Sequence, residues 1–572
     1  MAYGMWLEIP GRLMEKRRQS LCCRLMVALI CSIGCASSYA VAQQKLDQVA
    51  VEQWRADLRY LAEELPRRHK NLFASMTREQ FEQAVKRLDE RIPALNPPQI
   101  FVEMLRIVAQ VKDGHTRITK RDPSGFAFRR YPLRLFLYRD GLFVQEAAPE
   151  LARAVGGRVV KIGGATTEQA IRAAREICAH DNEMQIKLWI PRWLVIPEAL
   201  HGLGLIEDME RASLVVEQRG EQMAIDLKPV SIFEADEKWV DARDKAAPPP
   251  LWLKDPRNLY WFEYLADSKT VYVQYNSVAE KRDETIADFA KRLFAFVEAN
   301  PVDRFVLDIR RNGGGNSQLN LPFIHGLIRS DKVNHPGKLF VIIGRSTFSA
   351  AVWLVGDLEE HTHAIFIGEP TGGKPNHYGM SGMSGQTSFM LPNSRLVIEH
   401  SNEFMQRGVP GDDSPWKAPL LAAEITSEDY RLNRDPAMEI ILNYKPRPPL
   451  EDTMLDIFLK QGMEAAVRHY REFKADPMNA YVDMVWPLRL VGRRLMNVHK
   501  RFPDAVEIFK LNVAEHPRSD MDLFVLGDAY ERTGDVKQAI ENYEKSLALN
   551  PKNWELVEHL KSLRERQGRG WQ

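Results

Sequence analysis

The chain has 572 residues, of which 45% are hydrophobic and 27% charged, with a formal net charge of +1. That length spans several domains at about 150 residues each. A charge so close to zero excludes the basic excess with which nucleic-acid binders hold phosphates.

Residues 1–42 read as a secretory signal: Lys16-Arg17-Arg18, the apolar stretch Leu25 to Ile33, and Ala40-Val41-Ala42 before the cut. A retained anchor is the rival, although its apolar core is short for a span. Cys35 is a candidate lipidation site, with Ser32 where an aliphatic residue is usual. The expectation is an exported protein, periplasmic or extracellular, held at the membrane if this segment is uncleaved or lipidated. No other segment could cross a bilayer. Cys22, Cys23, Cys31 and Cys35 all lie in this leader, leaving Cys178 with no partner for an internal disulfide.

Residues 43–130 form a helical region, with Trp54, Leu58, Leu61 and Leu65, then Phe81, Val85 and Leu88, at helical spacing. Over 131–235 the order is two strands around Asp140-Gly141, a strand, glycine turn and capped helix at "GGRVVKIGGATTEQAIRAA", and a hairpin across Arg219-Gly220. This order resembles a PDZ-like α+β domain, a module that often binds a peptide as an added strand. The proline-rich breaks Ala246 to Pro250 and Lys445 to Pro449 bracket a unit at 255–445 in which strands and helices alternate. Such alternation implies an α/β core with sites at the strand-to-helix turns. In 450–572, Ala505, Phe509 and Pro517 recur 34 residues on as Ala539, Tyr543 and Pro551. Leu526-Gly527 and Tyr530 complete the pattern of an all-α tetratricopeptide repeat.

Gly368 to Lys374 fits the G-x-x-x-x-G-K frame of a phosphate-binding loop. The next residue is Pro375, which has no hydroxyl for Mg²⁺ and no N–H, and no helical pattern follows. That reading fails, and Lys374 needs another role. Ser349, in "STFSAAVWL", follows a strand and sits near a helix start, where free N–H groups suit an oxyanion. Its bland role is a helix cap, a task that Ser346 could also perform, leaving Ser349 one turn inside. "VLDIRRNGGGNS" places Gly313 and Gly314 at a buried strand end, where backbone can approach a ligand. "VKDGHT" offers His115 beside Asp113. His361 and His363 lack a third metal ligand at recognisable spacing.

In this order, these motifs resemble the S41 serine peptidases, the tail-specific or C-terminal processing proteases, and more distantly the tricorn proteases, over roughly residues 50–445. The resemblance implies a crotonase/ClpP-like α/β core, no cofactor, and an extended polypeptide substrate. It places the nucleophile at Ser349, its base at Lys374 twenty-five residues on, and the oxyanion hole at the amides of Gly313, Gly314 and Ala350. Two departures stand out: Val352 replaces a usual glutamate, and Pro375-Asn376-His377 follows the lysine where a second glycine is usual. His115 is the rival base, as in the tricorn-like branch, with His377 a lesser candidate. A lysine of ordinary pKa is neutral in about one molecule in 2,500 at pH 7, so its use as base costs about 4.6 kcal/mol unless its site lowers that pKa. The reading is therefore an exported serine endopeptidase whose repeats offer a surface to a protein partner. The alternatives are an inactive binding scaffold of the same fold and an adaptor in which the repeats carry the main role.

Overall fold

The structure, a computed structural model, describes residues 46–119, 128–232 and 238–569. The expected signal at 1–42, with its four cysteines, lies outside these residues. Among them, no helix is long and apolar enough to cross a membrane.

The site is carried by a six-stranded sheet in the order β1 (Tyr260–Leu265), β2 (Thr270–Tyr275), β3 (Arg304–Asp308), β4 (Leu339–Ile343), β5 (Ile365–Gly368) and β6 (Leu421–Ala422). β1 runs antiparallel to β2, and every later pair is parallel. β2, β4 and β5 are buried along their whole length, as expected of near-continuous apolar runs in a sheet covered on both faces. One face packs Phe289 and Leu293 of the helix Ile286–Ala299, Phe323, and Leu354 and Leu358 of the helix Ala350–His361. The other holds Tyr272, Phe340, Ile342 and Ile367 against Ala437, Met438 and Ile441. Parallel order puts the loops after β3, β4 and β5 on one edge, where α/β sheets bind ligands.

The N-terminal helices Gln48–Arg68, Arg78–Arg91 and Pro97–Ala109 bury Trp54, Leu58, Leu61, Leu65, Phe81 and Leu88. They share this core with a hairpin from far along the chain: Arg117–Thr119 pairs with Val397–Glu399, which pairs with Ser388–Met390. Asp57 accepts the N–H groups of Asn393 and Ser394 at 2.8 and 2.7 Å. Spatially, the segment 388–399 therefore belongs with the N-terminal region, a union no local pattern announces.

The insert is an antiparallel sheet ordered Val240–Asp241, Gly141–Ala147, Arg158–Ile162, Ala212–Gln218, Glu221–Leu227, with Leu133–Tyr138 flanking Gly141–Ala147. It thus takes in residues beyond 235. Arg219 and Gly220 both have positive φ, 54° and 82°, the conformation of a type I′ hairpin turn. Thr166 and Gln169 form a reciprocal capping box on the helix Thr167–Arg175. Cys178 is buried and unpaired. From Leu450 onward the described chain is all helical: Leu450–Gln461, Met463–Ala475, Val485–Asn497, Phe502–Glu515, Asp520–Thr533, Val536–Leu549 and Trp554–Arg569. Gly527 lies under the Tyr543 ring, so an added Cβ would fall 2.6 Å from it, and this contact explains the small residue at that repeat position.

Candidate active site

Ser349 is the hinge between β4 and the helix Ala350–His361, with φ 54° and ψ −125°. This is a conformation L-residues rarely adopt, and holding it costs about 1–3 kcal/mol. The helix begins at Ala350, so Ser349 occupies the cap position without a capping hydrogen bond, and Ser346 lies outside the helix. The sequence expectation of Ser346 as cap, with Ser349 one turn inside, is corrected. The sharp turn brings the strand into the helix too abruptly for the intervening residues to be helical.

The strain is held in place by the preceding loop. Thr347 Oγ1 donates to the Ile309 carbonyl at 2.9 Å and accepts from the Gly344 N–H at 3.0 Å. Phe348 N–H donates to the Asn312 carbonyl at 3.0 Å. The buried Asn312 amide donates to the Tyr275 carbonyl, and its Oδ1 accepts the Gly314 N–H at 2.9 Å. Gly314, at φ 96°, lies so close that a Cβ there would be 2.7 Å from Ser349 Cβ and 3.0 Å from Ala350 N. Glycine is required at 314 for both reasons. The Gly314 N–H is thus engaged, whereas the N–H groups of Gly313 and Ala350 donate to no acceptor among the described residues.

The loop after β5 closes the other side. A Cβ on Gly373 would lie 3.1 Å from Val352 Cγ2 and 3.4 Å from Ser349 N, so Lys374 is one residue removed from contact with the serine. Lys374 is half-buried, and its ammonium has no hydrogen bond or ion pair among the described residues.

His115 arrives from the opposite direction. Its ring sits 4.3 Å from that of Phe348, the residue before Ser349, and stacks on His377 at 5.2 Å and 9°. Both ring nitrogens are buried without a hydrogen-bond partner. Burial, then the neighbouring His377, hold its pKa down to about 3, so the imidazole is neutral. Asp113 Oδ1 is 3.9 Å from His115 Nδ1. Burial alone would raise the Asp113 carboxyl, but hydrogen bonds from His69 Nε2 (2.9 Å) and Ser401 Oγ (2.6 Å), with the adjacent His115 ring, bring it to about 2; Thr116 Oγ1 also donates to it at 2.6 Å. His377 donates Nδ1–H to the Lys374 carbonyl at 3.0 Å, leaving Nε2 unpartnered. His361 and His363 are exposed, and no metal-binding cluster occurs among the described residues.

Two site-bracing residues had no sequence signal beyond a helix start. Asp181 is buried, and its carboxylate accepts the Gly114 N–H at 2.7 Å and the Lys374 N–H at 3.4 Å, so one side chain bridges the His115 and Lys374 loops. Next to it, Asn182 caps the helix Glu183–Trp193 and donates to the carbonyls of Thr371 (3.1 Å) and Pro415 (2.6 Å). His69 and Ser401 were likewise invisible, since each lies hundreds of residues or a whole element away from what it orients.

The arrangement is a strained serine at a strand end, next to a helix start with a free backbone donor. The model of peptidase family S41 matches residues 324–414, and a tetratricopeptide repeat matches residues 522–553. The chain is thus similar to family S41 over the part that holds Ser349 and Lys374, and carries a tetratricopeptide repeat near its C-terminal end. No curated protein matches it. Among solved structures, mature CPAF complexed with lactacystin aligns at 12% identity and TM-score 0.47, covering 69% of this chain and 100% of that one. The photosystem II D1 C-terminal processing protease aligns at 16% and 0.31, covering 67% and 94%. MamA aligns at 23% and 0.16, covering 22% and 67%.

Proposed function

We propose that this protein is an exported serine endopeptidase that cleaves polypeptides by acyl transfer through Ser349. The observation that carries the reading is the strained turn that presents Ser349 at a helix start, directly before the unengaged N–H of Ala350. Ser349 Oγ attacks the scissile carbonyl, and the N–H groups of Gly313 and Ala350 take the developing oxyanion. The tetrahedral intermediate collapses, the amine leaves with a proton, and water then releases the acyl group from Ser349.

His115 is the base this geometry favours: a neutral imidazole with free lone-pair capacity, beside the residue that precedes the nucleophile. As its imidazolium forms, the ionised Asp113 supplies the opposing charge. Lys374 is the alternative base, favoured by the closeness of its loop to Ser349, since a Cβ on Gly373 would lie 3.4 Å from Ser349 N. The PDZ-like insert would hold an extended chain, and the repeats would engage a protein partner. Labelling with a fluorophosphonate probe tests the assignment. Wild type should label and hydrolyse casein, and Ser349→Ala should do neither. A wild-type protein that stays unlabelled would be a binding scaffold.

A further inference from the structure

The strand Arg117–Thr119, which follows directly from the His115 loop, forms one edge of a three-stranded sheet with Val397–Glu399 in the middle and Ser388–Met390 beyond. The Leu396 carbonyl accepts the Leu391 N–H at 2.8 Å, and the His400 N–H donates to the Thr387 carbonyl at 3.0 Å. Residues 396, 398 and 400 therefore turn their backbone groups toward Ser388–Met390. By the alternation of an antiparallel ladder, Val397 and Glu399 turn theirs toward Thr119 and Arg117. The N–H and C=O of Ile118 then point off the open edge. Neither has a hydrogen bond among the described residues, although Ile118 is buried. Unengaged backbone groups in a buried place are unfavourable until a partner arrives.

A cavity of about 320 Å³ runs along that edge. Arg117, Ile118 and Thr119 all line it. Successive side chains of a strand point to opposite faces, so what the cavity follows is their shared backbone edge. Its other walls are apolar, with Phe101 and Leu105 from the helix Pro97–Ala109, Ile177, and Trp189 and Trp193 from the helix Glu183–Trp193. Arg117 lies 5.7 Å from the Trp189 ring and donates to Glu399 at 2.7 Å, so its charge is already compensated. The volume is at the small end of ligand pockets, room for one large side chain and too little for a folded partner. Ile118 is three residues beyond His115, about 10 Å of extended chain, and the His115 ring lies 4.3 Å from that of Phe348, the residue before Ser349. An extended chain lying at Ser349 is the occupant within reach: its backbone supplies the partners that Ile118 lacks, and one apolar side chain fills the cavity.

Building on the peptidase reading of Ser349, we propose that the open edge of Arg117–Thr119 takes the polypeptide substrate as an added strand, and that the cavity beside it is a subsite for a large apolar side chain about three residues from the scissile bond. The main-chain bonds to Ile118 give affinity, and the pocket gives specificity.

The test uses the full chain with Ser349→Ala and alanine-rich decapeptides, carrying a fluorophore at the N-terminus and an amide at the C-terminus so that neither end is charged. Binding is read by anisotropy. A central Phe should bind tenfold or more tighter than Ala or Lys at the same position. Ala179→Leu, which adds bulk to the cavity wall, should erase that preference. A single N-methyl group moved along the Phe peptide should weaken binding tenfold or more at the residue that pairs with Ile118 and little at its neighbours, whose N–H groups face away from the strand. Equal affinity for Phe and Ala, tolerance of N-methylation at every position, a Phe preference unchanged in Ala179→Leu, or no binding at all overturns the proposal. The peptide comparisons need no second substitution, so they decide the matter if Ala179→Leu fails to fold. Wild type should cut the Phe peptide about three residues from Phe, as read by mass spectrometry, and cuts that ignore its position overturn the proposal. If wild type neither takes a fluorophosphonate nor cuts, while the Phe and N-methyl effects persist in binding, the peptidase reading fails and the strand-and-cavity site stands.

Discussion

At Ser349 a β-carbon is held at φ 54°, and the strain is kept only by the contacts around it. Ser349→Gly, which relieves the positive φ, should therefore be inactive yet more stable than Ser349→Ala, by about 1 kcal/mol, as read by chemical denaturation. The base is decided by rates and pH together. With His115 as base, His115→Ala should lose about 10³-fold or more in kcat/KM, approaching Ser349→Ala, because nucleophile and base act as a unit; Lys374→Ala should lose far less. The low pKa of His115, about 3, then leaves kcat/KM without an acid limb between pH 5 and 8. A profile that climbs with pH through and above neutrality, with activity lost in Lys374→Ala, would assign the base to Lys374.

Two elements frame the site, the glycine turn after β3 and the start of the helix Glu183–Trp193. Gly314→Ala would drive a methyl to within 2.7 Å of Phe348 O and Ser349 Cβ. It should cost both stability and at least 100-fold in kcat, whereas a Cβ on Gly313 meets no atom within 4 Å and Gly313→Ala should melt like wild type. Asp181 reports on the second element. Burial, with the nearby Asp113 charge, pushes its pKa up to about 7. A folded pKa above the unfolded value means the unfolded state releases its proton first as pH rises. The contribution to stability is full below about pH 4, the ordinary carboxylate range, and is lost as pH rises through 7. Asp181→Asn cannot ionise, so its Tm relative to wild type should improve from pH 5 to pH 8. A constant difference would mean that Asp181 does not titrate there.

At the scale of the whole molecule, the helical C-terminal region touches the core through few groups. Tyr481 OH bonds Glu424, the Tyr481 ring meets Trp416 at 6.4 Å, and Arg447 reaches the Met478 sulfur at 3.4 Å. A cavity of about 870 Å³ lies between Leu421–Glu424 and the turn at Asp476–Ala480. The region has its own core in Tyr470, Leu488, Val491, Ile508 and Phe509. Removing residues after 449 should leave kcat/KM on short peptides within about twofold while weakening capture of a large folded partner, because repeat stacks hold themselves together by neighbour contacts. Equal loss on short and large substrates would show that the helices support the catalytic core instead.

The sequence alone determined what depends on neighbours in the chain. Continuous apolar runs became β2 to β5, the 34-residue period became stacked helix pairs, and the order of Ser349, Lys374 and the glycines pointed to the S41 class. Arg219-Gly220 announced its turn because only certain residues accept positive φ. Tertiary structure alone decided what depends on distance. The strand at Val397–Glu399 left its expected domain because its apolar face fits the N-terminal helices. Asn312 consumed the N–H of Gly314 but not that of Gly313, and Asp181 joined two loops nearly 200 residues apart at its far contact. His115 became a buried, neutral ring only because Phe348 and His377 fold over it. Period and composition record the environment a residue needs on average, whereas hydrogen-bond partners and burial are set by whichever segments pack against it.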